Sequence, residues 1–149
     1  MKIKIICFGN IKNKNITMLI NDYLSKISHF SKIEILEIDE EKITNEENSG
    51  ETKAALYKES LKLLNHFKNN DYNILLDLEG KKIDSVEFSK IIENQINISK
   101  NINFFIGSSH GFHEIIKSKS SLNISFSDLT FNKQIFRLMI LEQNYRAFT

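Results

Sequence analysis

The chain reads as an α/β protein built on a parallel sheet. Two observations predict this. Short apolar runs alternate with longer stretches of helical period along the whole chain, the pattern of strands joined through crossover helices. Three of the five glycines, Gly9, Gly80 and Gly107, directly follow or closely trail an apolar run, where open α/β sheets place their ligand loops.

The elements follow in order. "KIKIICF", Lys2–Phe8, reads as a strand ended by Gly9. Ile16, Leu19, Ile20, Tyr23, Leu24 and Ile27 share one face of a helix. "KIEILEI", Lys32–Ile38, is a second strand, followed by a polar, acidic loop over Asp39–Gly50 with the composition of a mobile segment. A helix is expected from Glu51 to about Lys68. "NILLDL", Asn73–Leu78, is apolar enough for a strand covered on both faces. Ser85–Ile96 is a helix with Phe88, Ile91, Ile92 and Gln95 on one side. Ile102–Ile106 is the fourth strand, and a short helix is expected near His113–Lys119. Leu122–Phe126 is the fifth strand and Lys133–Phe148 the last helix, apolar on more than one side and so predicted to meet a partner as well as a core. There is no internal repeat or linker, so residues 1–149 are read as one domain.

Composition narrows the class. At 149 residues, with 41% hydrophobic residues, the chain is long enough for a real core. A lone cysteine, Cys7, rules out a disulfide framework and suits a reducing cytoplasm. No apolar run is long enough to cross a bilayer, and "MKIKIICFGN" lacks a signal-peptide cleavage pattern. No metal is expected, because Cys7 and the four histidines show no ligand spacing. Net charge is only +1, but nine acidic residues and three lysines fall between Glu34 and Glu59, so that segment carries −6 and the remainder +7. That asymmetry can leave a basic face for an anionic partner.

Arginine usage is sharper. Lysine outnumbers arginine 18 to 2, and both arginines, Arg137 and Arg146, lie in the last 13 residues. Their planar fork holds a carboxylate or phosphate bidentately, which lysine cannot do. The alternative is a structural salt bridge, for instance Arg146 with Glu142 four residues earlier. Around Gly107, in "NFFIGSSHGFHEI", a strand ends in glycine and small polar residues, as a ligand loop does. A dinucleotide-binding G-x-G-x-x-G and a P-loop are both missing. His110 and His113 flank Gly111 on the ligand edge as candidate acid–base groups, although loop histidines are commonly just solvated.

Four stretches carry a resemblance: "LDLEGK" (Leu76–Lys81), "FFIGSSHG" (Phe104–Gly111), "SFSDLTF" (Ser125–Phe131) and "QIFRLMILEQNYRAF" (Gln134–Phe148). Together with the opening "KIKIICFGNIK" they resemble the ribosomal large-subunit RNA methyltransferase H family, enzymes of the SPOUT class, over essentially the whole chain. The resemblance implies a parallel-sheet SPOUT α/β fold with a deep trefoil knot in the C-terminal half. It implies S-adenosylmethionine as cofactor and N3 of a pseudouridine in 23S rRNA of the assembled ribosome as the methylated atom. It implies a homodimer with the last helix at its interface. Cofactor contacts carried over by motif are Leu76, Gly107, Phe126, Ser127, Asp128, Leu129, Thr130 and Phe131. Arg137 and Arg146 are the candidate catalytic residues, holding an RNA phosphate or favouring a deprotonated base.

Two departures bear on catalysis. Asn132-Lys133 stands where relatives often carry Pro-His, and relatives usually run about ten residues past Thr149 to a Tyr-His tail that completes the active site. The alternative expectation is therefore a non-catalytic RNA- or cofactor-binding SPOUT module.

Overall fold

The computed structural model describes residues 1–108 and 110–149. Strands β1 (Lys2–Phe8), β2 (Lys32–Ile38), β3 (Tyr72–Lys82), β4 (Ile102–Ile106) and β5 (Leu122–Ser125) alternate with helices α1 (Lys14–Ser28), α2 (Ser49–Leu64), α3 (Ser85–Asn97), α4 (Glu114–Lys117) and α5 (Lys133–Phe148). The strands form one sheet in the order β2-β1-β4-β3-β5. Every named pairing in it is parallel.

Period-2 side-chain alternation builds the two faces. Ile3, Ile5 and Cys7 of β1, Ile74 and Leu76 of β3, and Ile102, Phe104 and Ile106 of β4 point to one side. There they meet Ile20 and Ile27 of α1, Phe88 and Ile92 of α3, and Ile140 and Leu141 of α5. Ile6 and Phe8, Leu75 and Phe105 point the other way and meet Leu63 of α2 and Phe112 and Ile116 beside α4. Both faces of the central strands are thus covered, which accounts for the near-continuous apolar runs. Asparagine or aspartate side chains cap α1, α2, α3 and α5 through Asn13, Asn48, Asp84 and Asn132. At α3, Asp84 and Glu87 form a capping box.

Several expectations shift. The strand expected to stop at Leu78 continues to Lys82, with a register shift between Leu76 and Lys81, both of which pair with Ile124. Residues 77–80 are therefore an excursion within the strand, the kind of bulge that re-aims a chain beside a site. Gly80 belongs to this excursion rather than to a turn after the strand. A Cβ there would lie 2.7 Å from the Ile124 amide nitrogen, so close approach to β5 demands glycine. The second helix begins at Ser49 and ends at Leu64, short of Lys68, after which Phe67 packs on Phe105 with ring centroids 4.4 Å apart.

The acidic loop before α2 is anchored, contrary to its mobile composition. Glu59 accepts from the Glu41 amide, Glu51 accepts from Thr44, and Lys62 reaches the Asp39 carbonyl and Glu41. The loop's acidic residues pair with lysines outside it, Glu41 with Lys62 and Glu40 with Lys133, which composition alone does not reveal.

Candidate functional site

The C-terminal ends of parallel strands point to one edge of the sheet. That edge carries the segments after β1, the β3 excursion, the loop after β4 and the loop after β5. Leu76 is buried in β3, beside β4, where it pairs with Ile106 just before Gly107. Gly107 is expected as the glycine of a ligand loop, and the packing around it gives a local reason for glycine there. Its φ is ordinary, and a Cβ there would sit 2.9 Å from the Gly111 carbonyl oxygen and 3.2 Å from the Phe112 ring. Gly111 carries the positive φ, +79°, and closes the loop through the Gly111 amide to the Ser108 carbonyl at 3.0 Å. The chain turns back on itself directly over Gly107.

Residues Phe126–Phe131 form the neighbouring loop. Among the described residues they make no backbone-to-backbone hydrogen bonds. The loop is held instead by side chains. Ser125 Oγ donates to the Ser127 carbonyl at 2.9 Å, the Leu129 amide donates to Ser127 Oγ at 3.0 Å, and Lys82 pairs with Asp128. Phe126 turns its ring inward against Phe88 and Phe136, which leaves its main chain for any ligand. Leu129 is 69% exposed and Phe131 38% exposed. A loop whose main chain, apart from the Ser127 carbonyl and Leu129 amide, is not tied into a turn and lies beside exposed apolar side chains fits a flat heteroaromatic ligand. The expected cofactor residues Leu76, Gly107 and 126–131 thus sit on adjoining segments of one sheet edge.

The two arginines separate. Arg137 is 3% exposed. Its guanidinium donates to Glu37 Oε2 at 2.8 Å and to the carbonyls of Phe8 and Gly9 at 3.3 and 3.1 Å. The fork geometry inferred from its rarity is in use, but it clamps α5 to the ends of β1 and β2. A direct contact between Arg137 and RNA requires this clamp to open. Arg146 is exposed and pairs with Glu142 through Nε at 3.1 Å and Nη2 at 2.6 Å, the i,i+4 pair expected as its alternative. Such a solvent-screened pair is weak and is easily exchanged for a phosphate. Lys133, at the expected Pro-His position, pairs with Glu40.

His113 is the N-cap of α4, where Nδ1 accepts from the Ile115 amide at 3.1 Å, and its ring meets Tyr57 edge-on. Among the described residues no group of three or more His, Cys, Asp or Glu is placed to hold a metal ion. Burial pushes the Cys7 thiol up to about 11 despite the nearby Arg137 charge. One feature of this edge was not anticipated. Lys117 of α4 is paired with Asp77 and Glu79 of the β3 excursion. Asp77 and Glu79 lie in the quoted "LDLEGK", but nothing in the local sequence links them to a lysine some forty positions on.

A parallel five-stranded sheet with its loops gathered in this way places the chain among α/β methyltransferases of the SPOUT class, and residues 1–149 match the family described as predicted SPOUT methyltransferase. More narrowly, the chain belongs to the ribosomal RNA large subunit methyltransferase H family. It is 59% identical over 149 residues to the protein of that name from Malacoplasma penetrans (strain HF-2), covering all of this chain and 94% of that one. The Clostridium botulinum (strain 657 / Type Ba4) protein of the same name is 41% identical, covering 99% of this chain and 94% of that one. The Caldicellulosiruptor saccharolyticus protein is 37% identical over 147 residues, with the same two coverages. Among solved structures, the SpoU methyltransferase AviRb from Streptomyces viridochromogenes, in complex with AdoMet, aligns over 98% of this chain and 59% of its own. Its TM-score is 0.43 and its identity 8%.

Proposed function

We propose that this chain is an S-adenosylmethionine-dependent methyltransferase acting on N3 of a pseudouridine in 23S rRNA of the assembled ribosome, in the cytoplasm. The observation that carries the reading is 59% identity, end to end, with a ribosomal RNA large subunit methyltransferase H. The cofactor is assigned to the edge formed by Leu76, Gly107 and Phe126–Phe131. The residues there suit it, since the main chain of 126–131 has no backbone partner to lose and Leu129 and Phe131 offer apolar surface. When bound, S-adenosylmethionine supplies an electrophilic methyl on a sulfonium. The chain's own part is to hold an adenine edge with main-chain groups, to exclude water with apolar side chains, and to align donor and acceptor. Arg146, exposed and weakly paired, is assigned to an RNA phosphate. Arg137 acts through Glu37 and the Gly9 carbonyl, setting where α5 begins relative to the ends of β1 and β2.

The same proposal includes a trefoil knot in the C-terminal half and a homodimer. Supporting the dimer is a groove of about 640 Å³ between α1, α3 and α5, lined by Leu19, Tyr23, Phe88, Ile135, Leu138 and Met139. Leu19 and Ile135 are each about half exposed, an apolar patch that a second copy would cover. A second reading, a non-catalytic SPOUT module, is kept because Lys133 stands at the expected Pro-His position, and a lysine needs a large pKa shift to act as a base near neutral pH.

Tritium transfer from labelled S-adenosylmethionine to ribosomes lacking the modification tests the proposal. Transfer into 23S rRNA supports the enzyme. Cofactor binding without transfer supports the module.

A further inference from the structure

The reading above leaves one charged cluster unused, at the C-terminal ends of β3 and β4. Asp77, 8% exposed, accepts from the Glu79 amide at 3.2 Å through Oδ1, and its Oδ2 lies 3.5 Å from the Lys117 ammonium. Lys117 also donates to Glu79 Oε2 at 2.9 Å and lies 4.0 Å from Glu114 Oε1. The Lys117 side chain is only 18% exposed, against 79% for Glu79, so the lysine is the enclosed member of that pair. Its hydrogen bond to Glu79, followed by the Asp77 charge, holds the lysine above its ordinary pKa against the opposing effect of burial. The same bond holds Glu79 below the usual carboxylate range. Lys117 and Glu79 therefore stay charged across neutral pH.

Its position matters more than its charge. Asp77 and Glu79 belong to the excursion that starts immediately after Leu76 and ends where Gly80 crosses Ile124. Lys117 ends α4, the single turn that follows the Gly107–Phe112 loop. A four-residue helix has no stability of its own. Ile116 anchors it in the core, and Lys117 ties it to β3. The cluster therefore joins the segment carrying Leu76 to the segment carrying Gly107, the two sides of the assigned cofactor cleft.

We propose that Lys117 is a positioning residue for the methyl donor. By pairing with Asp77 and Glu79 it holds the 77–80 excursion against α4 and so sets where that excursion stands beside the Gly107–Phe112 loop, the Leu76–Ile106 pairing already fixing the two strands. It touches no reacting atom. The proposal rests on the assignment of the cofactor to this edge.

The test is calorimetric binding of S-adenosylmethionine to the full chain and its Lys117→Met variant, with thermal melting and ribosome methylation in parallel. If loss of the tie leaves about a tenth of molecules with the competent spacing, Kd rises about tenfold. Turnover at saturating cofactor returns to the parent value, and Lys117→Arg restores affinity because it keeps the charge. Unchanged Kd with a lowered melting point overturns the proposal, as does Lys117→Arg behaving like Lys117→Met. Should Lys117→Met not fold, Asp77→Asn and Glu79→Gln provide the same reading, and parental affinity in both overturns it. A parent chain that binds no S-adenosylmethionine sinks the cofactor assignment and this proposal together. A parent that binds while every variant binds equally well sinks this proposal alone.

Discussion

Replacing Arg137 with lysine separates a clamp from a catalytic group. In the folded chain Arg137 Nη1 meets Glu37, and Nη2 serves the carbonyls of Phe8 and Gly9. A lysine ammonium is a point donor on a shorter reach and keeps the Glu37 contact at best. The two carbonyls then lose a charged donor in a place where water enters poorly, and an orphaned acceptor costs about 1–3 kcal/mol. Glu37 is 44% exposed and recovers water, so the full cost of breaking a buried ion pair does not apply. The expected loss for Arg137→Lys is about 1.5–3 kcal/mol, or roughly 3–12 °C in melting temperature for a chain of this size. Arg137→Ala should lose more, about 2–4 kcal/mol, because no donor remains. The assay is urea unfolding followed by circular dichroism at one fixed protein concentration, since a dimer's stability depends on concentration. Methyl transfer is measured alongside, below the melting range. An Arg137→Lys chain as stable as the parent but devoid of transfer would refute the clamp and return the guanidinium to the substrate.

Three further outcomes follow from the same geometry. Gly107→Ala places a Cβ against the Gly111 carbonyl, so the loop must move and S-adenosylmethionine affinity should fall about tenfold or more, roughly 1.4 kcal/mol, by calorimetry; parental affinity would mean the loop is not part of the site. Ile135→Asp puts a charge on the half-exposed groove face and should give a folded monomer by light scattering, whereas an unchanged dimer would place the interface elsewhere. Cys7, buried and with its thiol pushed up to about 11, should resist Ellman's reagent at pH 8 in the native state and react fully once unfolded; rapid native reaction would show that the end of β1 opens readily.

The strands were legible because each carries a dense apolar run, and four of the five both begin and end within a residue of the expected positions. The extension of β3 was hidden because Glu79, Lys81 and Lys82 look like surface residues. Glu79 lies in the bulge, and Lys81 and Lys82 pair past it, which only β5 reveals. Glycine at 107 is legible as the end of a strand at a ligand loop, but the Gly111 backbone passing over it is not, because no local pattern encodes that close approach. Arginine scarcity pointed correctly to a demand for a planar fork at Arg137, but its partners, Glu37, Phe8 and Gly9, lie more than a hundred residues of sequence away or nearly so. The Lys117 cluster was invisible for the same reason. Its partners meet only because β3 and α4 reach the same sheet edge. The family resemblance could be stated from four motifs because it depends on their order and spacing, which a sequence displays directly.

The proposed reaction methylates one pseudouridine in 23S rRNA. The most direct measurement is mass spectrometry of nuclease-digested 23S rRNA, taken from unmodified ribosomes incubated with this chain and S-adenosylmethionine. The expected product is a single fragment heavier by one methyl group, with the methyl on the base of a pseudouridine at N3, and no such product when free, protein-stripped 23S rRNA replaces the ribosome. A methyl on a different base or on a ribose oxygen, or an unchanged digest from a chain that demonstrably binds the cofactor, would contradict it.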